Sequence, residues 1–256
     1  MFLVFSKEKI QTYIVSVLTV AVLVVIASMD KTKIIQTSAA EKNLPIYNVQ
    51  TEEKKIAFTM NCAWNADDID SILETLKNNN VKITFFVVGE WVDKYPEAVE
   101  KIAKEGHEIG SHSNTHPHVN ELSSEKNLEE IKLSVSKIEE ITNQKVNLYR
   151  APYGEYNDTV IETAKNNGYF PIQWNIDTLD YKGLSCEEMW NRIKSKLSNG
   201  SIILSHNGTE HTADSLDTLI KNIEQQGYEF VKVSDLIYKD NYIINNNGTQ
   251  VQQKAE

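Results

Sequence analysis

The feature of this chain that most constrains its fold is the regular alternation of short apolar runs with stretches of helical periodicity. The runs are rich in β-branched and aromatic residues, as strands are, and begin near positions 56, 81, 107, 146, 169, 201 and 228. One helical stretch extends from Ser124 to Thr142, and its apolar residues recur on one face: Leu128, Ile131, Val135 and Ile138. Strands that alternate with helices pair in parallel through right-handed crossovers, so the pattern predicts an α/β fold with about seven parallel strands.

The predicted domain extends from residue 54 to residue 240. About seven βα units in a domain of this length are near the lower limit for a closed barrel, so we expect a distorted (β/α) barrel, with an open doubly wound sheet as the alternative. Residues 30–53 are polar and have no clear period, which predicts a linker. The polar residues 241–256 are predicted to form a tail without a core.

An uncharged segment lies near the start of the chain, from Ile10 to Met29. At about 1.5 Å per residue, a helix of this length crosses a hydrocarbon core of about 30 Å. Lys7 and Lys9 lie in the short segment 1–9, and the positive-inside rule places that segment in the cytoplasm. We therefore predict an uncleaved, single-pass transmembrane anchor in the cell membrane with the domain outside the cytoplasm. A cleaved signal peptide is the alternative.

The charge of the chain bears on the class of its partner. The formal net charge is −10, and the sequence has no dense cluster of Lys and Arg. Nucleic-acid binding depends on such clusters, so we expect no nucleic-acid partner and a neutral or weakly charged substrate. The sequence also lacks GxGxxG, P-loop, GxSxG and CxxC patterns, which argues against dinucleotide, nucleoside-triphosphate, serine-hydrolase and thioredoxin-like functions.

Residues able to do chemistry follow the predicted strands, at the points where parallel strands end and βα loops begin. Asn61 and Cys62 end the first strand. His112 and His116 follow the third strand four residues apart, so one helical turn would direct both imidazoles to one side, where they suit Zn²⁺. An isolated HxxxH pair is more often a surface or capping pair, and zinc needs a third protein ligand. The position at a strand end favours the metal-binding interpretation.

Three further strand ends carry Arg150, Asp177 and His206. Each has a structural interpretation beside the catalytic one. Arg150 could belong to a buried ion pair, Asp177 could cap a helix, and His206 could be a hydrogen-bonded histidine. Their shared position at strand ends favours catalysis.

Taken in chain order, these residues resemble the motifs of the NodB-type polysaccharide deacetylases, carbohydrate esterase family 4. SHSNTH resembles the family's His-x-x-x-His metal motif, and RAPYG resembles its Arg-x-Pro-Tyr motif. DTLDY resembles its Asp-containing groove motif, and ILSH resembles its final Leu-x-His motif. The resemblance implies a distorted (β/α) barrel and metal-dependent removal of acetyl groups from N-acetylated sugars of a cell-wall polysaccharide such as peptidoglycan. His112 and His116 would bind its divalent ion, expected to be Zn²⁺ with Co²⁺ as the alternative.

The resemblance also implies roles for other residues. Asp177 would orient His206, which would protonate the departing amine. Arg150 would hold the catalytic base, and Tyr153 would contribute a backbone N–H to the oxyanion site. The anchor and a variant first motif resemble the spore-associated branch of the family.

The first motif departs from the family pattern. The family has Thr-Phe-Asp-Asp-Gly, with the first Asp as general base and the second as a metal ligand, whereas this strand ends in TMNCA, with Asn61 and Cys62 at the two acidic positions. An amide cannot accept a proton from water at neutral pH. Cys62 could ligate zinc as a thiolate or pack as a small apolar residue. Asp67 and Asp68 start the next helix, where acids also favour the helix dipole, and Asp68 is expected to complete the metal site.

Two functions remain open on the sequence. One is a deacetylase weakened by Asn61 at the general-base position, since loss of a general base removes about 10² to 10⁴ in rate. The other is a catalytically inactive glycan-binding or scaffold protein that retains the deacetylase fold. Both have an N-acetylated glycan as the partner.

Overall fold

The computed structural model describes residues 43–253, together with residues 11, 14 and 16–20. The chain divides into two units, Met1–Glu41 and Lys42–Glu256. The described residues of the first unit are helical. Most of the predicted anchor, Ile10 to Met29, lies outside the described residues, and among those described no helix is long and apolar enough to cross a membrane.

Residues 43–253 form short strands and helices in alternation. The strands are β1 (Asn48–Val49), β2 (Lys55–Cys62), β3 (Thr84–Val87), β4 (Glu108–Ser111), β5 (Leu148–Tyr149), β6 (Phe170–Pro171), β7 (Ile176–Asp177), β8 (Ile202–His206), β9 (Glu229–Phe230), β10 (Tyr242–Ile244) and β11 (Thr249–Gln252). The helices are α1 (Ile69–Asn78), α2 (Gly89–Lys94), α3 (Pro96–Lys104), α4 (Ser124–Thr142), α5 (Asp158–Asn166), α6 (Cys186–Ile193), α7 (Thr212–Gln225) and α8 (Val233–Leu236).

The central sheet has the strand order β6-β5-β4-β3-β2-β8-β7, and each neighbouring pair is parallel. Its two edge strands, β6 and β7, follow one another in the chain with only residues 172–175 between them. Because a chain extends at most about 3.5 Å per residue, the two edges must lie within roughly 20 Å of each other. The sheet therefore curls into a half-barrel of seven parallel strands, and the predicted (β/α) fold is confirmed.

One predicted strand is wrong, because the run YFPIQWNI forms β6 and β7 at opposite edges of the sheet. The chain between them leaves the sheet and pairs with Ile46, whose N–H donates to the carbonyl of Pro171 at 2.8 Å and whose carbonyl accepts from the N–H of Gln173 at 2.7 Å. Pro171 has no N–H to continue a sheet ladder. The apolar run therefore reads as one strand although the backbone breaks within it.

The segments flanking the predicted domain are part of the fold. Strand β1 pairs in parallel with β11, and β10 pairs antiparallel with β11, which makes a second, three-stranded sheet. Ile46 and Val49 are buried, and the buried side chain of Gln250 exchanges two hydrogen bonds with the backbone of Tyr238, at 2.6 and 2.9 Å. Residues 43–53 and 241–253 are thus folded segments and neither linker nor tail in this structure. Although most of their residues are polar, a few buried side chains and the strand pairings attach them to the domain.

The helices cover the outside of the half-barrel. Helix α4 begins after Ser123, whose hydroxyl accepts from the backbone N–H of Lys126 at 3.3 Å, and buries the predicted apolar residues Ile131, Val135 and Ile138. Because all strands of the central sheet are parallel, their carboxyl ends lie at one end of the half-barrel.

Candidate active site

The carboxyl ends of the parallel strands surround a cleft with a volume of about 640 Å³. Asn61 in β2, His112 directly after β4 and His206 at the end of β8 line this cleft. His116 and Asp177 line it as well. The structure therefore brings together residues that the sequence places at separate strand ends.

His112 and His116 lie side by side, with ring centroids 4.9 Å apart and ring planes at 79°. The Nδ1–H of His112 donates to the backbone carbonyl of Arg150 at 2.8 Å, so the lone pair of the ring is on Nε2. Burial, and then the neighbouring His116, lower the pKa of His112 well below its usual range, and burial lowers the pKa of His116. Both imidazoles are therefore neutral near pH 7.

The loop that joins the two histidines is held by helix α4. Ser113 and His116 have φ angles of 63° and 58°, in the left-handed region that residues other than glycine rarely adopt. The carboxylate of Glu130 accepts from the N–H groups of Asn114 and Thr115 at 2.9 and 2.8 Å. Glu130 thereby stabilises the loop that positions His116. Sequence reasoning missed Glu130, because an acidic residue on the polar face of an amphipathic helix ordinarily faces solvent.

Arg150 is fully buried and faces a neutral side chain. Its Nη1 donates to Oδ1 of Asn61 and to the hydroxyl of Thr59, both at 2.9 Å, and its Nη2 donates to the carbonyl of Gln173 at 3.1 Å. The ring centroid of Phe86 lies 4.0 Å from the guanidinium carbon. Burial lowers the pKa of Arg150 to about 9, with no offset from an acidic neighbour in the described residues, so the group stays charged near pH 7. Arg150 thus contacts the predicted base position, which holds an amide.

His206 is held by Asp180 and not by Asp177. The Nδ1–H of His206 donates to Oδ1 of Asp180 at 2.8 Å, and its backbone N–H donates to Oδ2 at 2.6 Å. The hydroxyl of Thr212 donates to the same Oδ2 at 2.8 Å. Asp177 instead accepts from the backbone N–H of Leu179 at 2.8 Å. The prediction that Asp177 orients His206 is therefore wrong, because the chain turns at Leu179 (φ 54°) and brings the second acid of DTLDY to the ring.

The residues predicted to complete a metal site are occupied elsewhere. The carboxylate of Asp68 accepts from the Asn207 amide at 3.1 Å and from the N–H of Gly208 at 2.7 Å. Asp67 lines a separate surface groove. Cys62 is buried in the apolar core, where burial, and then the charge of Asp68, raise the pKa of its thiol well above the usual range. Cys62 is thus packed as a neutral thiol, the second of the two roles that the sequence left open.

The donor set of the cleft decides whether it fits a divalent ion. A zinc site in a protein has at least three protein ligands. Here the third group beside His112 and His116 is the amide of Asn61, whose Nδ2 lies 3.3 Å from His112 Nε2. Among the residues that the structure describes, no three His, Cys, Asp or Glu side chains are placed to hold a metal ion. The donor set therefore does not fit the predicted Zn²⁺ or Co²⁺ centre.

Three half-exposed aromatic rings surround the polar residues of the cleft. Trp64 and Tyr181 each pack against His206, with ring centroids 5.4 and 5.3 Å from the imidazole. Tyr153 packs edge-on against His116 at 4.5 Å, while its predicted role through the backbone N–H stays a prediction. Exposed aromatic surface in a cleft is typical of a ligand-binding site. Sequence reasoning missed Trp64 and Tyr181, because single aromatic residues in loops have no spacing that marks them.

Comparison with known proteins gives a family and several relatives. A family model for polysaccharide deacetylases matches residues 48–172. The chain is 34% identical over 193 residues to the uncharacterized protein YlxY of Bacillus subtilis, a match that covers 75% of this chain and 60% of YlxY. It is 31% identical over 207 residues to a peptidoglycan-N-acetylglucosamine deacetylase of Bacillus cereus, which covers 78% of this chain and 74% of the relative. The chain thus spans less than two thirds of the length of YlxY.

A solved structure with a similar fold is that of BA3943 from Bacillus anthracis, a CE4 family pseudoenzyme. It is similar with a TM-score of 0.73 and 34% identity, covering 76% of this chain and 69% of BA3943. A BA3943 mutant with restored enzymatic activity is similar with the same TM-score of 0.73.

Proposed function

This chain belongs to the polysaccharide deacetylase family, carbohydrate esterase family 4, and we propose that it binds N-acetylated cell-wall glycan at a deacetylation centre without a general base. The observation that carries the proposal is the neutral amide of Asn61 between Arg150 and His112, where the family has a carboxylate. An amide has negligible basicity near pH 7. The cleft therefore keeps groups that can hold a sugar, but it has no side chain at this position that can activate water.

The aromatic rings of the cleft support binding of a sugar. A pyranose presents a face of C–H groups that packs against an aromatic ring, while its hydroxyl and acetamido groups remain free to hydrogen-bond. Trp64 and Tyr181 are 49% and 47% exposed beside His206. A sugar stacked on these rings would hold its acetamido group beside the imidazole.

The relatives support the class of glycan. The Bacillus cereus relative is a peptidoglycan-N-acetylglucosamine deacetylase. We therefore take the N-acetylglucosamine units of peptidoglycan as the ligand. A net charge of −10 agrees with a ligand of this kind better than with a polyanion.

A second candidate function is slow deacetylation, and the pair of His206 and Asp180 favours it. The buried carboxylate of Asp180 accepts a hydrogen bond from Nδ1 of the imidazole and orients the ring, and a group that protonates a departing amine needs such an orientation. Without a general base the rate would be about 10² to 10⁴ lower, a level that is still measurable. A BA3943 mutant has restored enzymatic activity, so a pseudoenzyme of this family can be returned to function.

Calorimetric titration of the full chain in detergent tests the binding function. We expect oligomers of N-acetylglucosamine to bind and the matching glucosamine oligomers to bind more weakly. Trp64→Ala should raise the Kd about tenfold, the equivalent of about 1.4 kcal/mol for one aromatic contact. Leu133→Ala is the matched control, because Leu133 is 44% exposed on α4 and does not line the cleft.

Two results would separate the candidates. If the wild type binds none of the acetylated oligomers, the binding function is wrong. If the wild type releases acetate from the same oligomers and His206→Ala stops the release, slow deacetylation is the better description.

We further propose that the domain lies outside the cytoplasm, attached to the cell membrane through the uncharged segment Ile10 to Met29. A place in the spore-associated branch of the family is part of the same proposal. Protease added to cells whose wall has been removed should digest the domain. Full protection of the domain would refute this location.

A further inference from the structure

The orientation of the Asn61 amide is fixed by its two neighbours. Nη1 of Arg150 can only donate, so the Asn61 atom that faces it at 2.9 Å is the oxygen Oδ1. The amide nitrogen Nδ2 therefore points the other way, to Nε2 of His112 at 3.3 Å. The partners leave no freedom to exchange the two ends of the amide.

The tautomer of His112 is fixed in the same way. Its Nδ1 faces the backbone carbonyl of Arg150 at 2.8 Å, and because a carbonyl can only accept, Nδ1 carries the hydrogen. Nε2 then has a lone pair, which accepts an N–H of Asn61. The bonds form a closed ring from the Arg150 guanidinium through Asn61 and His112 back to the Arg150 carbonyl.

We propose that Asn61 is a positioning residue that takes the place of a metal ion on the lone pair of His112, so that hydrogen bonds hold His112 in place and the folded chain needs no ion at this position. The lone pair on Nε2 is the one through which His112 would ligate a metal. In this chain it is already bonded within the ring. This inference rests on the proposed function only in taking the cleft to be the deacetylation centre of the family.

The ring also explains what a single change at this position would do. A carboxylate in place of the amide would keep an oxygen toward Arg150 but would set its second oxygen against the Nε2 lone pair, at the 3.3 Å separation of the present pair. Two acceptors at that distance repel unless a cation lies between them. Asn61→Asp should therefore convert a centre that is closed without an ion into one that requires an ion.

A blocked lone pair can be distinguished from a merely missing third ligand. Asn61→Asp frees the lone pair and adds a ligand, whereas Asn61→Ala frees the lone pair and adds none. If the amide blocks the site, both variants gain affinity for a divalent ion. If the missing ligand is the whole defect, only Asn61→Asp gains.

The test is titration of the full chain in detergent with Zn²⁺ and Co²⁺, in the absence of glycan, by calorimetry and by thermal unfolding against an EDTA control. We expect the Tm of the wild type to be the same with Zn²⁺ and with EDTA. Asn61→Asp should bind the ion about 10- to 100-fold more tightly than the wild type, and Asn61→Ala should gain a smaller part of that range. Adding His112→Ala to Asn61→Asp should abolish the gain.

Wild-type protein that binds one ion per chain and gains Tm with Zn²⁺ would overturn the proposal, as would a folded Asn61→Ala variant with no gain. If Asn61→Ala does not fold, the ¹⁵N resonances of His112 in the wild type decide instead. They should show an Nδ1–H tautomer that added Zn²⁺ leaves unchanged, and a shift of Nε2 on addition would refute the proposal. Because no glycan is present, failure of glycan binding leaves these results unaffected.

Discussion

Replacement of Asn61 by aspartate is the most direct test of how the cleft relates to catalysis. The two side chains have the same shape, so Asn61→Asp should place a carboxylate oxygen where Oδ1 now lies, 2.9 Å from Nη1 of Arg150. The variant would supply the proton acceptor that the amide cannot be. It would also give the buried guanidinium an anionic partner.

The expected magnitude follows from the role of the base. A general base contributes about 10² to 10⁴ in rate, or roughly 3 to 5 kcal/mol of the activation barrier. We expect a gain of at least about tenfold, less than the full contribution of a general base. The gain is smaller because no metal ligand is restored: Asp68 stays bonded to Gly208, and Cys62 stays packed in the core. For stability, pairing Arg150 recovers part of the roughly 3 to 5 kcal/mol that an unpaired buried charge costs. The second oxygen, unpaired beside His112, costs about 1 to 3 kcal/mol.

The assay is acetate release from N-acetylglucosamine oligomers and from peptidoglycan, with EDTA, Zn²⁺ or Co²⁺ added. Asp67→Asn and Asp68→Asn are the controls, since these are the other carboxylates near the end of β2. A flat rate for Asn61→Asp, together with loss of a wild-type activity in either control, would show that Asn61 is not at the base position. The free energy of unfolding of Asn61→Asp, measured in urea, should be higher with Zn²⁺ than with EDTA, because the ion relieves the repulsion between the second carboxylate oxygen and Nε2 of His112.

Three further perturbations follow from the same structure. In the Asn61→Asp background, Asp180→Asn should lower acetate release far more than Asp177→Asn, because of the two acids only Asp180 bonds the imidazole of His206. Equal losses would contradict the assignment of Asp180 as the residue that orients His206. Glu130→Gln should weaken glycan affinity in the wild type and lower acetate release in the Asn61→Asp background, while the circular dichroism spectrum stays unchanged. The reason is that the N–H groups of Asn114 and Thr115 lose a charged acceptor. Burial lowers the pKa of His107 to about 4, so between about pH 6.5 and pH 4 the unfolded state binds the proton and the folded state does not. Stability is therefore lost as the pH falls, by about 2 kcal/mol from pH 7.5 to pH 5. In urea unfolding, His107→Gln should not show this loss of stability between pH 7.5 and pH 5. The control His118→Gln replaces an exposed histidine and should show the same loss as the wild type.

The sequence predicted the parallel strands and the residues at their ends, because both depend on local patterns. Apolar runs mark strands, and parallel strands bring their carboxyl ends together whatever the exact register. Asn61, His112 and His206 could therefore be placed in one cleft from the sequence alone. The family pattern added the expectation that Arg150 faces the base position, and its contact with Asn61 agrees with it.

The parts that could not be predicted depend on the path of single turns and on contacts between distant segments. Whether Asp177 or Asp180 reaches His206 is decided by the left-handed turn at Leu179, which the letters DTLDY do not reveal. His107, between α3 and β4 in the chain, is buried, and its Nδ1 accepts from the N–H of Ile83, a residue distant in the sequence, at 3.2 Å. Long-range packing of this kind has no local signature.

The segment around Ile46 and β1 has a consequence for how the domain behaves when it is shortened. Ile46 bridges to Ile172 between the two edge strands, and Asn48 bridges to Ser201 at the start of β8. A shortened domain that begins at residue 54, after the polar segment 30–53, would lose these pairings. Ile172, β11 and the neighbouring backbone would then have open hydrogen-bonding edges. Open strand edges pair with the edges of other molecules. The shortened domain should therefore self-associate and precipitate, although every strand of the central sheet is intact.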